Sequence, residues 1–435
     1  MNKRMQRLGA VLLFTGVFTA SAANAAWDSY QGDAAHTGYV GGTFNAAGVQ
    51  QIWSKTLPTG SLTNMAVDAG QVFVSSSGYF NNSRFYAINA ADGNINWQTS
   101  YSGPTSPNGV FSTNAPAYAN GIVYLQTCNN GGATYLHAYN ASTGAALFHA
   151  PFSAQWENYL NPAVYGGHVY IDGGTYGGMY SFNATTGGQD WFGYVGQYDG
   201  WTPAVDANYT YCFTGSGDTV PITGEFRMFN RLAGTLKAFI SLPNYPLGSY
   251  TMNSAVTLGS QSDAIAVMPG GQLYPTGTVG GRLISFDVRA DATHTPHIGW
   301  MITDGFSGQA SVANGAIFTI DNGHLSVRSE TDGHELWSYL GGPTLSGPLI
   351  VTDNAVLASG AAGTYAIDLA THLPVWSTTA TGHLALSDGV LYIADSAGNV
   401  SAFNIVPEPA SVVSGLFLIG SATLHRRRRR GLSGQ

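Results

Sequence analysis

Charge is the scarcest commodity in this chain: Asp, Glu, Lys and Arg make up 9% of its residues, against about 25% in ordinary globular domains. What basic charge exists is concentrated at the ends, with Lys3, Arg4 and Arg7 at one and Arg426 to Arg430 at the other. Residues 26–409 hold eight basic residues against all 24 acidic ones, a net charge of −16. A body this acidic repels a phosphate backbone, which excludes nucleic acid as a natural partner. Cysteine is nearly absent: Cys128 and Cys212 are too far apart for a CxxC redox pair, and no Cys/His group has zinc spacing. The chain also lacks a P-loop, a nucleophile elbow and an HExxH helix.

The apolar runs are short and terminal. Lys3, Arg4 and Arg7 precede an apolar stretch from Leu8 to Ala20, and Ala23-Asn24-Ala25 has the small-x-small form of a signal-peptidase site. Residues 1–25 therefore read as a secretory signal cleaved between Ala25 and Ala26. No cysteine follows the cut, so lipid attachment there is not expected. An exported chain could oxidise its cysteines, but the repeat below places Cys128 and Cys212 on blades that do not touch, and both read as separate buried thiols.

What the chain has in excess is glycine, 57 residues, together with 12% aromatics. That mixture suits many short strands joined by tight turns. One pattern recurs through the body: a strand ending in aromatic-x-Asn, a turn containing Gly, then a strand carrying Trp or Phe. Examples are "YAINAADGNINWQ" from Tyr86, "YSFNATTGGQDWF" from Tyr180 and "TYAIDLATHLPVW" from Thr364. The aligned anchors are Asn89, Asn140, Asn183, Asn230, Asp287, Arg328, Asp368 and Asn404, at the spacing of four-stranded propeller blades. The eighth copy stops before its aromatic strand, and "QIWSKTL", with Trp53, supplies a matching strand ahead of the first copy. The expectation is an all-β, eight-bladed propeller over residues 26–405 closed by that N-terminal strand, which removes an exposed sheet edge. Trp97, Trp191, Trp300, Trp337 and Trp376, with Phe148 and Phe239, are expected to pack between blades, each contributing about 2–3 kcal/mol by burial.

These repeats resemble the pyrroloquinoline-quinone-like (PQQ-like) propeller repeat, and "WDSYQGDAAHTGYV" from Trp27 resembles the segment that introduces such propellers. The resemblance covers about residues 27–405 and implies a fold more than an activity. Quinoprotein dehydrogenases of similar architecture hold pyrroloquinoline quinone and calcium, but their adjacent cysteine pair is missing here, as are a convincing calcium carboxylate set and a CxxCH haem site. No catalytic residue, cofactor or metal is therefore assigned. His36 and the His294, His297 pair lack a third ligand and read as structural.

Connections from the fourth strand of one blade to the first of the next gather at one mouth of the ring. The early ones are rich in aromatics: Trp156 and Tyr159; Tyr194, Tyr198 and Trp201; Tyr245 and Tyr250. Rings flanked by Asn, Gln and Asp suit the faces and hydroxyls of a sugar polymer, making these seven a candidate ligand face beside the plainer role of loop packing.

The C-terminus, residues 406–430, reads "VPEPASVVSGLFLIGSATLHRRRRR", followed by a tail, residues 431–435. Ala410 to Leu424 is a marginal hydrophobic helix for a bilayer needing about 20 residues, and the arginines would stay cytoplasmic. Pro407-Glu408-Pro409, the apolar stretch and Arg426, Arg427, Arg428, Arg429 and Arg430 closely resemble the PEP-CTERM sorting signal. That resemblance implies an exosortase partner at the inner membrane, transfer to the cell surface and an association with exopolysaccharide. The expectation is an exported, non-enzymatic binding or structural propeller. Its alternatives are a periplasmic, membrane-anchored scaffold resembling the outer-membrane assembly propeller and, further off, a PQQ-dependent dehydrogenase.

Overall fold

The computed structural model describes residues 26–405 apart from 79–82, 102–108, 131–132, 156, 174–177, 196–199, 216–221, 246–254, 274–275 and 292. The expected signal helix and the hydrophobic helix of the sorting segment lie outside the described residues. Among the described residues no helix is long and apolar enough to cross a membrane.

Eight antiparallel sheets form the body. Blade 1 comprises Ala66–Asp68, Gln71–Ser75, Ser83–Asn89 and Ile95–Tyr101. Blades 2 to 7 repeat this order over 112–151, 163–193, 204–242, 257–304, 306–339 and 345–378. Blade 2 divides its first strand into Ser112–Thr113 and Ala117–Ala119, and blade 5 carries an extra hairpin of Gly271–Gln272 with Thr278–Val279. Blade 8 has three strands of its own, His383–Ser387, Val390–Ala394 and Asn399–Asn404; Gln50–Thr56 pairs antiparallel with the last, Trp53 opposite Ala402. The ring closure read from the sequence is thus present. Second strands such as Gln71–Ser75 are buried on both faces because each blade lies between two others, whereas outer strands such as Ile95–Tyr101 alternate exposed and half-buried.

The repeated residues hold one blade to the next. The Asn or Asp anchors of blades 1–5 and 7 end a third strand and fold the side chain over the turn: Asn140 Oδ1 accepts from the Ser142 and Thr143 amides at 3.1 and 3.0 Å, and Asn183 and Asp368 do the same in their blades. A register shift beside each aromatic position of the outer strands, as between Ala87 and Ile88 opposite Trp97, sets that ring's direction. The ring then lies against the turn of the following blade. Trp53, Trp97, Trp191 and Trp300 donate Nε1–H to the carbonyls of Ala90, Ala141, Arg231 and Glu330 at 2.7–3.1 Å. A side chain at Gly93, Gly144, Gly234 or Gly333 would collide with the same four rings. In blade 7 His372 replaces the glycine, with φ 58°, and its imidazole stacks on Trp337 at 4.1 Å and 6°.

Two alignments shift by one residue. In blade 6 the turn bonds are made by Ser329, which takes the place assigned to Arg328: Ser329 N–H donates to His334 O and Gly333 N–H to Ser329 O. In blade 4 it is Ala238, opposite Met228, that occupies the docking position, while Phe239 faces outward and is exposed. A one-residue displacement in a strand exchanges its two faces. Blades 4 and 5 are joined instead by Phe226 stacked on Phe286, centroids 4.2 Å apart.

Candidate functional site

The two ends of the ring are built differently. One end gathers the turns between strands 1 and 2 and between strands 3 and 4; the other gathers the strand 2 to 3 and blade-to-blade connections. Residues 27–45 run as a hoop around the inside of the ring near the first end. Trp27 exchanges backbone hydrogen bonds with Val67 of blade 1, and Asp28 O accepts from Tyr118 of blade 2. Ala34, Ala35 and Thr37 carbonyls accept from Val205, Leu258 and Val312 of blades 4, 5 and 6. Gly38 and Val40 bond Val351 of blade 7, and Asn45 N–H donates to Ile405 at the end of blade 8.

Small and polar side chains make this inner path possible. A Cβ at Gly38 would lie 2.4 Å from Ser311 Oγ. Gln31 donates Nε2–H to Ala310 O and Ser311 Oγ, and His36 Nδ1 meets Val256 O at 2.8 Å. His36 is fully buried, and burial lowers its pKa to about 4, so it is neutral and structural. Asp28, on the same hoop, is raised to about 7 by burial, then by Asp33 and Asp68.

At the opposite mouth the four described residues of the candidate aromatic face do not form one surface. Tyr159, Trp201 and Tyr245 are 4%, 1% and 1% exposed and belong to the core. Tyr159 donates its hydroxyl to Glu157 at 3.0 Å and meets Phe152 edge-on, and Tyr245 packs against Phe213. Tyr194 alone of the described four stands out, 62% exposed, with Arg227 lying between it and Phe239. Trp156, Tyr198 and Tyr250 lie outside the described residues, as do Ala25, Pro407, Glu408, Pro409 and Arg426 to Arg430. Large rings in a blade-to-blade connection seal the gap between two wedge-shaped sheets, which is why an aromatic count did not distinguish packing from presentation.

Cys128 and Cys212 are free, buried and on blades 2 and 4. Burial pushes both thiols well above their ordinary range, so neither is nucleophilic. His294 pairs with Asp291 and His297 with the Thr295 carbonyl, both on the surface. Among the described residues no group of three or more His, Cys, Asp or Glu side chains is placed to hold a metal ion.

Three cavities were not foreseen. One of about 350 Å³ lies at the mouth between blades 8 and 1, lined by Thr59, Ser61, Ser76, Ser77, Ser83 and Arg84 with intervening Gly and Pro. Its counterpart between blades 7 and 8, about 320 Å³, has Ser346, Ser359, Thr381 and His383. The third, about 170 Å³ and between blades 5 and 6, is bordered by Asp263 and Glu330. Oxygens of those two carboxyls converge on the Gln261 amide at 3.3 and 3.0 Å, and burial followed by Glu330 raises Asp263 to about 7. The one hint available from sequence was that Arg84 is among only eight cations in the body.

No curated protein matches the sequence. Among solved structures, the chain resembles BamB from Moraxella catarrhalis at 13% identity and TM-score 0.57, over 83% of this chain and 98% of that one. It resembles the quinohemoprotein alcohol dehydrogenase from Comamonas testosteroni at 16% and 0.61, over 95% and 84%. The computationally designed Ika8 protein matches at 12% and 0.56, over 82% and 100%. BamB, an alcohol dehydrogenase and a design share this architecture, so these likenesses speak for the fold alone. The family profile described as outer membrane protein assembly factor BamB matches residues 42–135 and 129–339, most of the chain, and the protein belongs to that PQQ-like propeller family.

Proposed function

We propose that the protein is an exported, non-enzymatic binding propeller, sorted by an exosortase to the cell surface or matrix, with exopolysaccharide or another surface component as its partner. The observation that carries the binding role is the hoop of residues 27–45, which lines the axis near one end of the ring with the protein's own residues. The opposite mouth, with its open cavities, is then the face available to a partner. The Pro407-Glu408-Pro409 motif, apolar stretch and arginine cluster support the sorting step, and the signal-like residues 1–25 support export. The family match keeps a periplasmic scaffold as the second reading. The intact mass of the protein from membrane and extracellular fractions of its native host separates the two. A released form lacking residues 1–25 and the segment after the PEP motif is expected. A protein found only in membranes and retaining Arg426 to Arg430 would refute surface sorting and favour the scaffold.

A further inference from the structure

The cavity between blades 8 and 1 has a chemical character set apart from the rest of the body. Among the described residues no carboxylate lines it, although acidic residues outnumber basic ones by 24 to eight over residues 26–409. Its one charged wall residue is Arg84, for which no carboxylate partner is present among the described residues. Strand pairing holds that arginine in place: its amide donates to Ser76 Oγ at 2.8 Å, and its carbonyl accepts the Ser76 amide at 2.8 Å. Arg84 and Tyr86 are two residues apart on Ser83–Asn89 and so share a face of the strand. The Tyr86 hydroxyl is buried beside the Arg84 guanidinium, which acts against the rise that burial imposes on its pKa. The remaining wall carries hydroxyls on Thr59, Ser61 and Ser77, each able both to donate and to accept.

The cavity between blades 7 and 8 provides an internal contrast. It is similar in size and in its serine, threonine and glycine lining, but holds His383, whose pKa burial lowers, where the first cavity has a guanidinium. The first cavity therefore carries a fixed guanidinium charge that the second lacks.

We propose that the cavity between blades 8 and 1 binds a carboxylate-bearing sugar, with Arg84 taking the carboxylate and the surrounding hydroxyls taking the sugar hydroxyls. An arginine fork matches a carboxylate in two parallel hydrogen bonds. A doubly charged phosphate calls for more cations or a helix N-terminus, and this site has a single guanidinium. The volume is at the lower end of small-molecule sites, suiting one or a few sugar units. Remote acidic groups beyond about 8–10 Å are screened at physiological salt, so the acidic body does not forbid a single carboxylate here.

The inference rests on the binding reading above in placing a ligand at this mouth, yet it fails separately from it. The test titrates the full chain with glucuronate, glucose and inorganic phosphate by calorimetry, and repeats the series with Arg84→Gln and Arg84→Lys after matching their thermal melts to the parent. Glucuronate is expected to bind at least tenfold more tightly than glucose, with Arg84→Gln abolishing the preference and Arg84→Lys retaining part of it. Equal affinity for glucuronate and glucose, or undiminished glucuronate binding by Arg84→Gln, overturns the proposal. Phosphate binding more tightly than glucuronate overturns the sugar assignment. None of these results alters the masses of the native fractions, which judge surface sorting.

Discussion

The contact between an outer-strand tryptophan and the next blade's turn can be measured with two glycines of blade 2. Gly144 has φ 71°, and a Cβ there would lie 2.6 Å from Cδ2 and 2.7 Å from Cε3 of Trp97. Gly121 has φ 80°, but a Cβ there would meet nothing within 4 Å. Alanine at either position must accept the left-handed backbone region, at about 1–2 kcal/mol. At Gly144 it must also displace an indole anchored by a 2.7 Å hydrogen bond to Ala141, adding about 1–3 kcal/mol of overpacking. With an unfolding entropy of about 2.1 cal/mol/K per residue over residues 26–405, Gly121→Ala lowers Tm by about 1.3–2.5 °C and Gly144→Ala by about 2.5–6 °C. Calorimetric melts of the two variants, each also made with Trp97→Ala, complete the assay. The Gly144→Ala excess should shrink in the Trp97→Ala background while the Gly121→Ala effect persists. Equal costs at the two glycines, or an excess unchanged by Trp97→Ala, would refute the docking argument.

The remaining predictions concern protons, a substituted turn and the aromatic face. Asp263 is protonated more readily in the fold than its ordinary 3.8, so its stabilising contribution is full below about pH 4 and is lost as pH rises through about 7. Asp287, Arg289 and Ser285 border the same cavity from blade 5 and Thr331 from blade 6. Asp28 shifts in the same direction, so the measurement is the difference in Tm between parent and Asp263→Asn from pH 4 to 8; a difference independent of pH would refute the raised pKa of Asp263. His372→Ala should cost about 1 kcal/mol through loss of the Trp337 stack, with an unchanged melt counting against it. Trp201→Ala, at a residue 1% exposed, should destabilise by about 3–5 kcal/mol in urea titration, while Tyr194→Ala, 62% exposed, should fall within about 0.5 kcal/mol of the parent; similar costs would contradict their different placement.

Repetition made the fold legible in the linear chain. Eight anchors, recurrent Gly turns and a displaced Trp53 strand state a ring of eight blades before any contact is known, because each copy repeats the same local chemistry. Where a copy degenerated, the alignment slipped: Arg328 for Ser329 and Phe239 for Ala238 are one-residue errors that only strand pairing corrects. The candidate site was less legible. Tyr159, Trp201 and Tyr245 have the composition of a sugar platform and the burial of a core.

Sequence by itself determined the architecture, the acidic and cation-poor body, the separation of the two thiols and the terminal motifs, all of them properties of residue identity and spacing. The tertiary structure decided which rings face solvent, that residues 27–45 form an inner hoop, that Asp263 and Glu330 meet across a seam and that Arg84 lines a cavity with no carboxylate among its described residues. These depend on residues tens to hundreds of positions apart meeting in space, and burial and pairing are properties of that meeting rather than of any residue alone.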